Sequence, residues 1–253
     1  MGWRKRILVL LVMASAVGCV NMKVGEVKAA GSESGGKSGG WKEAAVRVLG
    51  QVFMGAKDGI VFYAFDVLCE PNEPVELVAR LQEAELLDDI EDMTVGFYLD
   101  TELVGEAVTD DEGFARLKWM PAGQGDYELS VKVKTEGVKE EYAEEMAGLE
   151  SVPLLVSVRP RETRFVVVDL DHTVVESSFL YVLLGQAKPM EGSVEMMKKI
   201  AEQYSVIYLT HRPDLLTHLS KNWLRKHGYP RGVLLVSTIK QVLGGSGDFK
   251  TGR

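Results

Sequence analysis

The stretch FVVVDLDHTVVES, residues Phe165 to Ser177, runs an apolar strand into two carboxylates. Phe165-Val166-Val167-Val168 is continuously apolar, the pattern of a strand buried on both faces. Asp169 closes it, and Asp171 and Thr173 follow at alternate positions. Downstream, Ser193 to Gln203 reads as a helix carrying Met196, Met197 and Ile200, and Val206-Ile207-Tyr208-Leu209 as a second strand. Pro213 to His227 reads as another helix, with Leu215, Leu216, Leu219, Trp223 and Leu224 inward and Gly228 closing it. Gly232 to Val236 is a third strand. Strands alternating with helices imply a parallel sheet with right-handed crossovers. Reactive groups on such sheets stand just past the carboxyl ends of the strands, where Asp169 and Thr210 lie.

Two carboxylates at a strand end can divide the labour of phosphoryl transfer. One attacks phosphorus and the other handles protons. They share a site when a cation offsets their repulsion, and Mg²⁺ prefers oxygen ligands. A lone Asp-x-Asp also caps ordinary loops. The apolar strand before it, and Thr210 ending the next strand, make this combination more specific.

DLDHT, with Asp169, Asp171 and Thr173, and the threonine of LTHRP, Thr210, resemble the first two signatures of haloacid dehalogenase-like phosphatases. Within them, YLTHRPDLLTHLSKNWLRKHGYPRGVLLVS and DFKTGR are similar to catalytic domains of lipin-type and actin-patch-type phosphatidate phosphatases. The resemblance covers roughly residues 160–253. It implies that Asp169 forms an aspartyl-phosphate and that Asp171 protonates the leaving alkoxide, then activates water. It also implies that Asp169 and the Asp171 carbonyl hold Mg²⁺, that Thr210 binds a phosphoryl oxygen, that Thr173 shapes the loop and that Lys250 neutralises phosphoryl charge. Asp171 and Thr210 are 39 positions apart, which leaves little room for a cap domain and implies an open site. One departure stands out: the fourth motif needs acids beyond a further strand, and only Thr251, Gly252 and Arg253 follow Lys250. The expectation is a phosphatase domain missing its C-terminal part, with Phe165 to Val168 left as a sheet edge.

The remaining 160 or so residues divide by charge. The chain of 253 residues carries net +4 over residues 1–40, −16 over 41–160 and +4 over 161–253, which marks a boundary near Pro160. Phosphates would repel the acidic block, so no nucleic-acid partner is expected. Trp3-Arg4-Lys5-Arg6 is a basic flank, and the apolar run Ile7 to Val17 is about eleven residues, short of the ~20 a membrane span needs. Ala16-Val17-Gly18 before Cys19 resembles a bacterial lipoprotein signal, which implies acylation at Cys19, export and anchoring in the cell envelope. An ordinary cleaved signal or an uncleaved anchor is the other reading. Val20 to Gly40, with GSESGGKSGG, reads as a flexible tether reaching roughly 25 Å. Cys69 is then the remaining cysteine and has no intrachain disulfide partner. His211 and His218 stand too far from other ligands to argue for zinc.

Between tether and boundary lie short β-rich runs: IVFYAF, PVELVARL, VGFYLD, ELVGEAV, FARLKW, YELSVKV and LLVSVRP, punctuated by turn residues. Trp41 to Met54 reads as a short amphipathic helix before them. The runs suggest an antiparallel sandwich, and TDDEGFARLKW with GDYELSVKV resembles bacterial immunoglobulin-like and transthyretin-like modules. Such a module either binds a partner or serves as a rigid spacer. The expected fold class is therefore multidomain: an immunoglobulin-like β-sandwich followed by an incomplete α/β Rossmann-like domain. The expected organisation is a signal and lipobox at 1–19, a linker at 20–40, the sandwich at 41–160 and the phosphatase domain at 161–253. The expected function is Mg²⁺-dependent phosphomonoester hydrolysis, with phosphatidate, a membrane lipid phosphate, as leading substrate. The alternatives are a lipoprotein acid phosphatase on soluble phosphomonoesters and a non-catalytic envelope-binding protein with a phosphatase remnant. Cys19→Ala is expected to release the protein from the membrane fraction, read by fractionation and immunoblot; unchanged membrane association and processing would overturn the lipoprotein reading.

Overall fold

The computed structural model describes residues 59–84, 87–136, 138, 142–171, 173–176 and 187–237. Cys19, the tether, the Trp41 to Met54 helix and Lys250 lie outside the described residues. Among these residues the chain is mostly β-sheet with few helices.

Eight strands precede the boundary: β1 (Ile60–Ala64), β2 (Val67–Cys69), β3 (Val75–Glu83), β4 (Thr94–Leu99), β5 (Glu102–Val108), β6 (Phe114–Trp119), β7 (Gly125–Val133) and β8 (Val152–Val158). A short helix, α1 (Ala143–Ala147), lies between the last two. They form a three-stranded sheet, β1-β3-β6, and a five-stranded sheet, β2-β8-β7-β4-β5. All pairings are antiparallel except β2 with β8. Alternate residues point inward, as the two-residue period of a strand requires: Leu77, Ala79 and Leu81 of β3 meet Val95, Phe97, Leu129, Val131, Leu154 and Val156 in one core.

β1 departs from alternation for a reason. Phe62 and Ala64 enter that core, while Val61 and Tyr63, on the opposite face, pack with Leu215 and Leu216 from the C-terminal part of the chain. A strand covered on both sides reads as a continuous apolar run, which is how IVFYA reads.

The C-terminal part holds β9 (Phe165–Asp169), α2 (Ser193–Ala201), β10 (Ser205–Pro213), one 3-10 turn (Asp214–Leu216), α3 (Thr217–Lys226) and β11 (Gly232–Ser237). β10 pairs in parallel with β9 on one side and β11 on the other. Gly232 lets β11 start close beside β10, since a Cβ there would lie 2.5 Å from the Val206 carbonyl oxygen. Val166, Val168, Tyr208, Leu234, Met197, Trp223 and Leu224 form the core of this part.

The expected fold class, with its Rossmann-like domain, is corrected by this topology. A doubly wound sheet reverses strand order at a switch point. Here the order β11-β10-β9 is sequential, over three strands and two short helices. β9 is the edge strand among the described residues, and it is fully buried on one face alone: Val166 and Val168 are buried, Phe165, Val167 and Asp169 partly so. The expected helix from Pro213 is also shorter, because β10 runs on to Pro213 and the α-helix begins at Thr217. No helix among the described residues is long and apolar enough to cross a membrane.

The sheets of the sandwich and the parallel sheet are joined by a buried carboxylate. Asp66, between β1 and β2, accepts the Leu155 amide of β8 at 2.8 Å and the Leu234 amide of β11 at 2.9 Å. Lys221 of α3 places its ammonium 2.6 Å from Asp66 and donates to the Pro153 and Ala64 carbonyls at 2.8 and 3.2 Å. All three ammonium donors are therefore used. Around this centre Arg161–Glu70 and Arg231–Glu128 pair the basic part with the acidic one, while Arg159, at the end of the acidic part, holds Asp126 and donates to the Ser205 hydroxyl at 3.1 Å; each ion pair contributes only ~0–1 kcal/mol where exposed. Asp66→Asn is expected to lower stability by about 3–5 kcal/mol, because it strands a buried ammonium. Urea unfolding measures it, and the Asp66→Asn/Lys221→Met double variant should lose at least ~1 kcal/mol less than the sum of the singles.

Candidate functional site

The parallel register aligns Leu209 with Asp169, so Thr210 is the next residue past the end of β9. The chain after β9 turns at once. Leu170 donates its amide to the Leu209 carbonyl at 3.1 Å, and the Leu170 carbonyl accepts the amides of Val174 and Val175 at 3.2 and 3.0 Å. This turn carries Thr173, half-buried, and aims Asp171 at β10. Thr210, fully buried, donates its hydroxyl to Asp171 Oδ2 at 3.0 Å.

Arg212, two places along β10, takes most of the Asp171 carboxylate. Its Nε lies 3.1 Å from both oxygens and its Nη2 lies 2.8 Å from Oδ1. The Arg212 side chain is 2% exposed and that of Asp171 24% exposed. Nη1 donates to the Ser220 hydroxyl of α3 at 3.0 Å, and the Arg212 amide donates to Thr210 Oγ1 at 3.2 Å. A buried guanidinium needs such partners, because an unpaired buried charge is expensive. Beyond it, His211 Nδ1 lies 3.0 Å from the Ser237 hydroxyl at the end of β11.

Asp169, Asp171, Thr173 and Thr210 thus gather at one end of the parallel sheet, and Lys250 lies outside the described residues. Arg212, Ser220 and Asp214 were not among the residues read from the sequence. The available signal was Arg212-Pro213-Asp214 set between the apolar runs YL and LL, two charges where burial was to be expected.

Near-octahedral oxygen coordination is what Mg²⁺ demands. Both Asp171 oxygens face a guanidinium, which would repel a cation placed against them. No cluster of three or more His, Cys, Asp or Glu side chains suited to a metal stands among the described residues. The oxygens that the resemblance assigns to Mg²⁺, one from Asp169 and the Asp171 main-chain carbonyl, are two of the near-octahedral set it demands, and the described residues alone do not complete that set.

Residues 166–250 match the family described as PITM 1-3, LNS2 domain. Membrane-associated phosphatidylinositol transfer protein 2 of Mus musculus is 31% identical over 80 residues, 31% of this chain and 6% of that protein. Its Homo sapiens counterpart is 30% identical over 80 residues, with the same shares. The chain therefore spans a small fraction of those relatives' length. Among solved structures, a putative membrane anchored protein from Corynebacterium diphtheriae gives a TM-score of 0.30 at 15% identity, over 41% of this chain and 21% of that one. The titin M10–obscurin-like 1 immunoglobulin complex gives 0.26 at 12% identity, over 41% and 96%. Likenesses of that size establish nothing about this chain. The resemblance to haloacid dehalogenase-like phosphatidate phosphatases is corrected by the sequence matches: the segment bearing DLDHT and LTHRP is similar to the LNS2 domain of phosphatidylinositol transfer proteins.

α3 also carries His218, whose pKa is pushed down by burial. His227, at the end of the same helix, is lowered by burial and by the Lys226 charge. A histidine held neutral in the fold lets the unfolded chain take up the proton first. Stability is then complete above the unfolded value of about 6.5 and falls as pH drops below it. The urea midpoint is expected to fall between about pH 6.5 and 5, and His218→Gln to flatten that limb. A midpoint independent of pH in this window would overturn the assignment.

Proposed function

We propose that the strand-end site binds the phosphate of a membrane glycerolipid, with phosphatidate the leading candidate, and that Arg212 is its main cation. The observation that carries this reading is the buried Arg212 guanidinium, which shares Asp171 Oδ2 with the Thr210 hydroxyl at the carboxyl end of the parallel sheet. Guanidinium recognises carboxylate and phosphate with the same paired N–H geometry. Asp171 therefore serves as a resident anion that a phosphate competes with. The similarity of residues 166–250 to a domain of membrane-associated phosphatidylinositol transfer proteins supports a lipid-related role.

The finer reading, hydrolysis of the phosphomonoester with Asp169 as nucleophile and Mg²⁺ assisting, is favoured by one feature: Asp169 ends β9, and Thr210 stands one place past it on the adjacent parallel strand β10. The engagement of Asp171 by Arg212 weighs against it, since a general acid must be free to give and take a proton. The remaining proposals fit a protein that meets lipid at a surface. They are a sandwich and a C-terminal domain meeting near Pro160, and a Cys19 lipid anchor holding both in the cell envelope, at its periplasmic or extracellular face, after export across the inner membrane.

Sedimentation with vesicles tests the reading, using phosphatidylcholine alone and then doped with phosphatidate or phosphatidylinositol, with Mg²⁺ or a chelator. Phosphatidate is expected to recruit the chain, and Arg212→Gln to weaken recruitment about tenfold or more, the scale of a lost charge-assisted contact. Asp171→Asn, which removes the competing charge, should strengthen it. Equal recruitment by phosphatidylcholine, or an unaffected Arg212→Gln, would overturn binding at this site. Mg²⁺-dependent release of inorganic phosphate that disappears in Asp169→Asn would replace binding with hydrolysis.

A further inference from the structure

β10 does not end at Thr210. It continues through His211, Arg212 and Pro213 into the 3-10 turn Asp214–Leu216, and this segment has two differently used faces. One presents Arg212 to Asp171. The other is buried against the sandwich. Leu215 and Leu216, each 2% exposed, pack with Val61, Tyr63 and Ala84. Asp214, 1% exposed, places Oδ2 3.5 Å from Nη1 of Arg80 on β3. Its Oδ1 accepts the Leu215 amide at 3.1 Å, and its carbonyl accepts the Thr217 hydroxyl at 2.5 Å.

Arg80 is itself held from several sides. Nε donates to the Glu112 carbonyl at 3.1 Å, Nη2 to Asp89 at 2.9 Å, and the guanidinium lies 4.4 Å from the Phe114 ring centre. Gln82 donates to the same Asp89 oxygen at 3.0 Å and accepts the Tyr63 hydroxyl at 3.2 Å. Burial, with the Asp214 charge beside it, keeps the Tyr63 phenol well above its ordinary pKa. The sandwich thus offers a rigid polar socket, and Asp214 is the residue of the parallel-sheet part that enters it.

We infer that Arg80 is a positioning residue for the anion site: by fixing Asp214 it fixes where Arg212 stands. Only Pro213 separates the two residues, and its ring locks φ, here at −55°. Few soft torsions are left to absorb a displacement of Asp214. A carboxylate this buried that loses its ionic partner takes up a proton or moves toward water, and either response loosens the segment that carries Arg212. The sandwich is then part of the site and more than a spacer. The inference rests on the reading of Arg212 as phosphate ligand, and its test separates the two.

The experiment uses the full chain with Arg80→Gln, Arg80→Lys, Lys221→Met and Arg212→Gln, alone and with Arg80→Gln. Amide hydrogen exchange over residues 210–216 and sedimentation with phosphatidate-doped phosphatidylcholine vesicles are both read. Arg80→Gln is expected to speed exchange in that segment about tenfold and to weaken vesicle binding about fivefold or more. Arg80→Lys, which keeps the charge and folds where the larger change fails, should restore most of both. Lys221→Met, which disturbs the same interface elsewhere, should leave exchange at 210–216 within about twofold of the parent. In the Arg212→Gln background, Arg80→Gln should cost less than about twofold further binding. Unchanged exchange at 210–216, or an undiminished effect of Arg80→Gln when Arg212 is absent, would overturn the inference. If the parent binds no vesicle, the lipid-phosphate reading falls, while the exchange comparison still decides whether Arg80 holds the segment.

Discussion

Asp66 has both carboxylate oxygens committed to different parts of the chain, one to β8 of the sandwich and one to β11 of the parallel sheet, and the Lys221 ammonium sits against it. Two buried opposite charges give little net stability, since desolvation cancels most of their attraction. Their effect is on specificity. Any other docking of the two parts would leave Asp66 without its cation, the Lys221 ammonium bare and the Leu234 amide unpaired in a dry interface, several times the cost of one lost hydrogen bond. The pair therefore selects one arrangement from many that apolar contacts alone would tolerate.

That arrangement explains features on both sides of it. Val61 and Tyr63 are buried on the face of β1 that points away from the sandwich core. Leu215 and Leu216 are buried away from the core of the parallel sheet, in the same small cluster. Neither pair of residues would have cover if the two parts were joined only by a linker. The opposite charges of residues 41–160 and 161–253 then fall into place as two matching surfaces, with Arg161 and Arg231 meeting Glu70 and Glu128.

The β-rich runs were legible because alternation and turn residues are local signals: Glu128, Ser130 and Lys132 alternate with Leu129 and Val131 in β7 as they do in the sequence. The gathering of Asp169, Asp171 and Thr210 was legible too, since the parallel register sets Leu209 opposite Asp169 and so brings Thr210 just past the end of β9. Other features were not legible, because they depend on residues distant in the chain. Asp66 between two apolar runs looks like any turn aspartate until Lys221 and Leu234 arrive from more than 150 positions away. Arg212 next to Pro213 looks like the solvated start of a helix, and its burial follows from Asp171 across the sheet. Sequential strand order cannot be told from a doubly wound one by the alternation of strands and helices, and that is where the Rossmann-like expectation failed. The phosphatase resemblance failed for a related reason: DLDHT and LTHRP describe the ends of two strands, and that local chemistry also fits a segment similar to an LNS2 domain.

The electrostatics of the strand end bear on what such a segment can do. Asp169 and Asp171 bring two negative charges and Arg212 one positive, so a phosphate entering unaided meets a net repulsive field. A phosphate that takes the paired Nε–Nη2 edge of Arg212 must displace Asp171, which holds that edge while Nη1 donates to Ser220. That exchange trades one oxyanion for another at similar geometry, and the more highly charged one is favoured. On the proposed reading, displacing Asp171 favours a dianion over a monoanion, and so a terminal phosphate such as that of phosphatidate over the phosphodiester of phosphatidylinositol. Asp171, as the anion already held by Arg212, would then set the charge a ligand must bring.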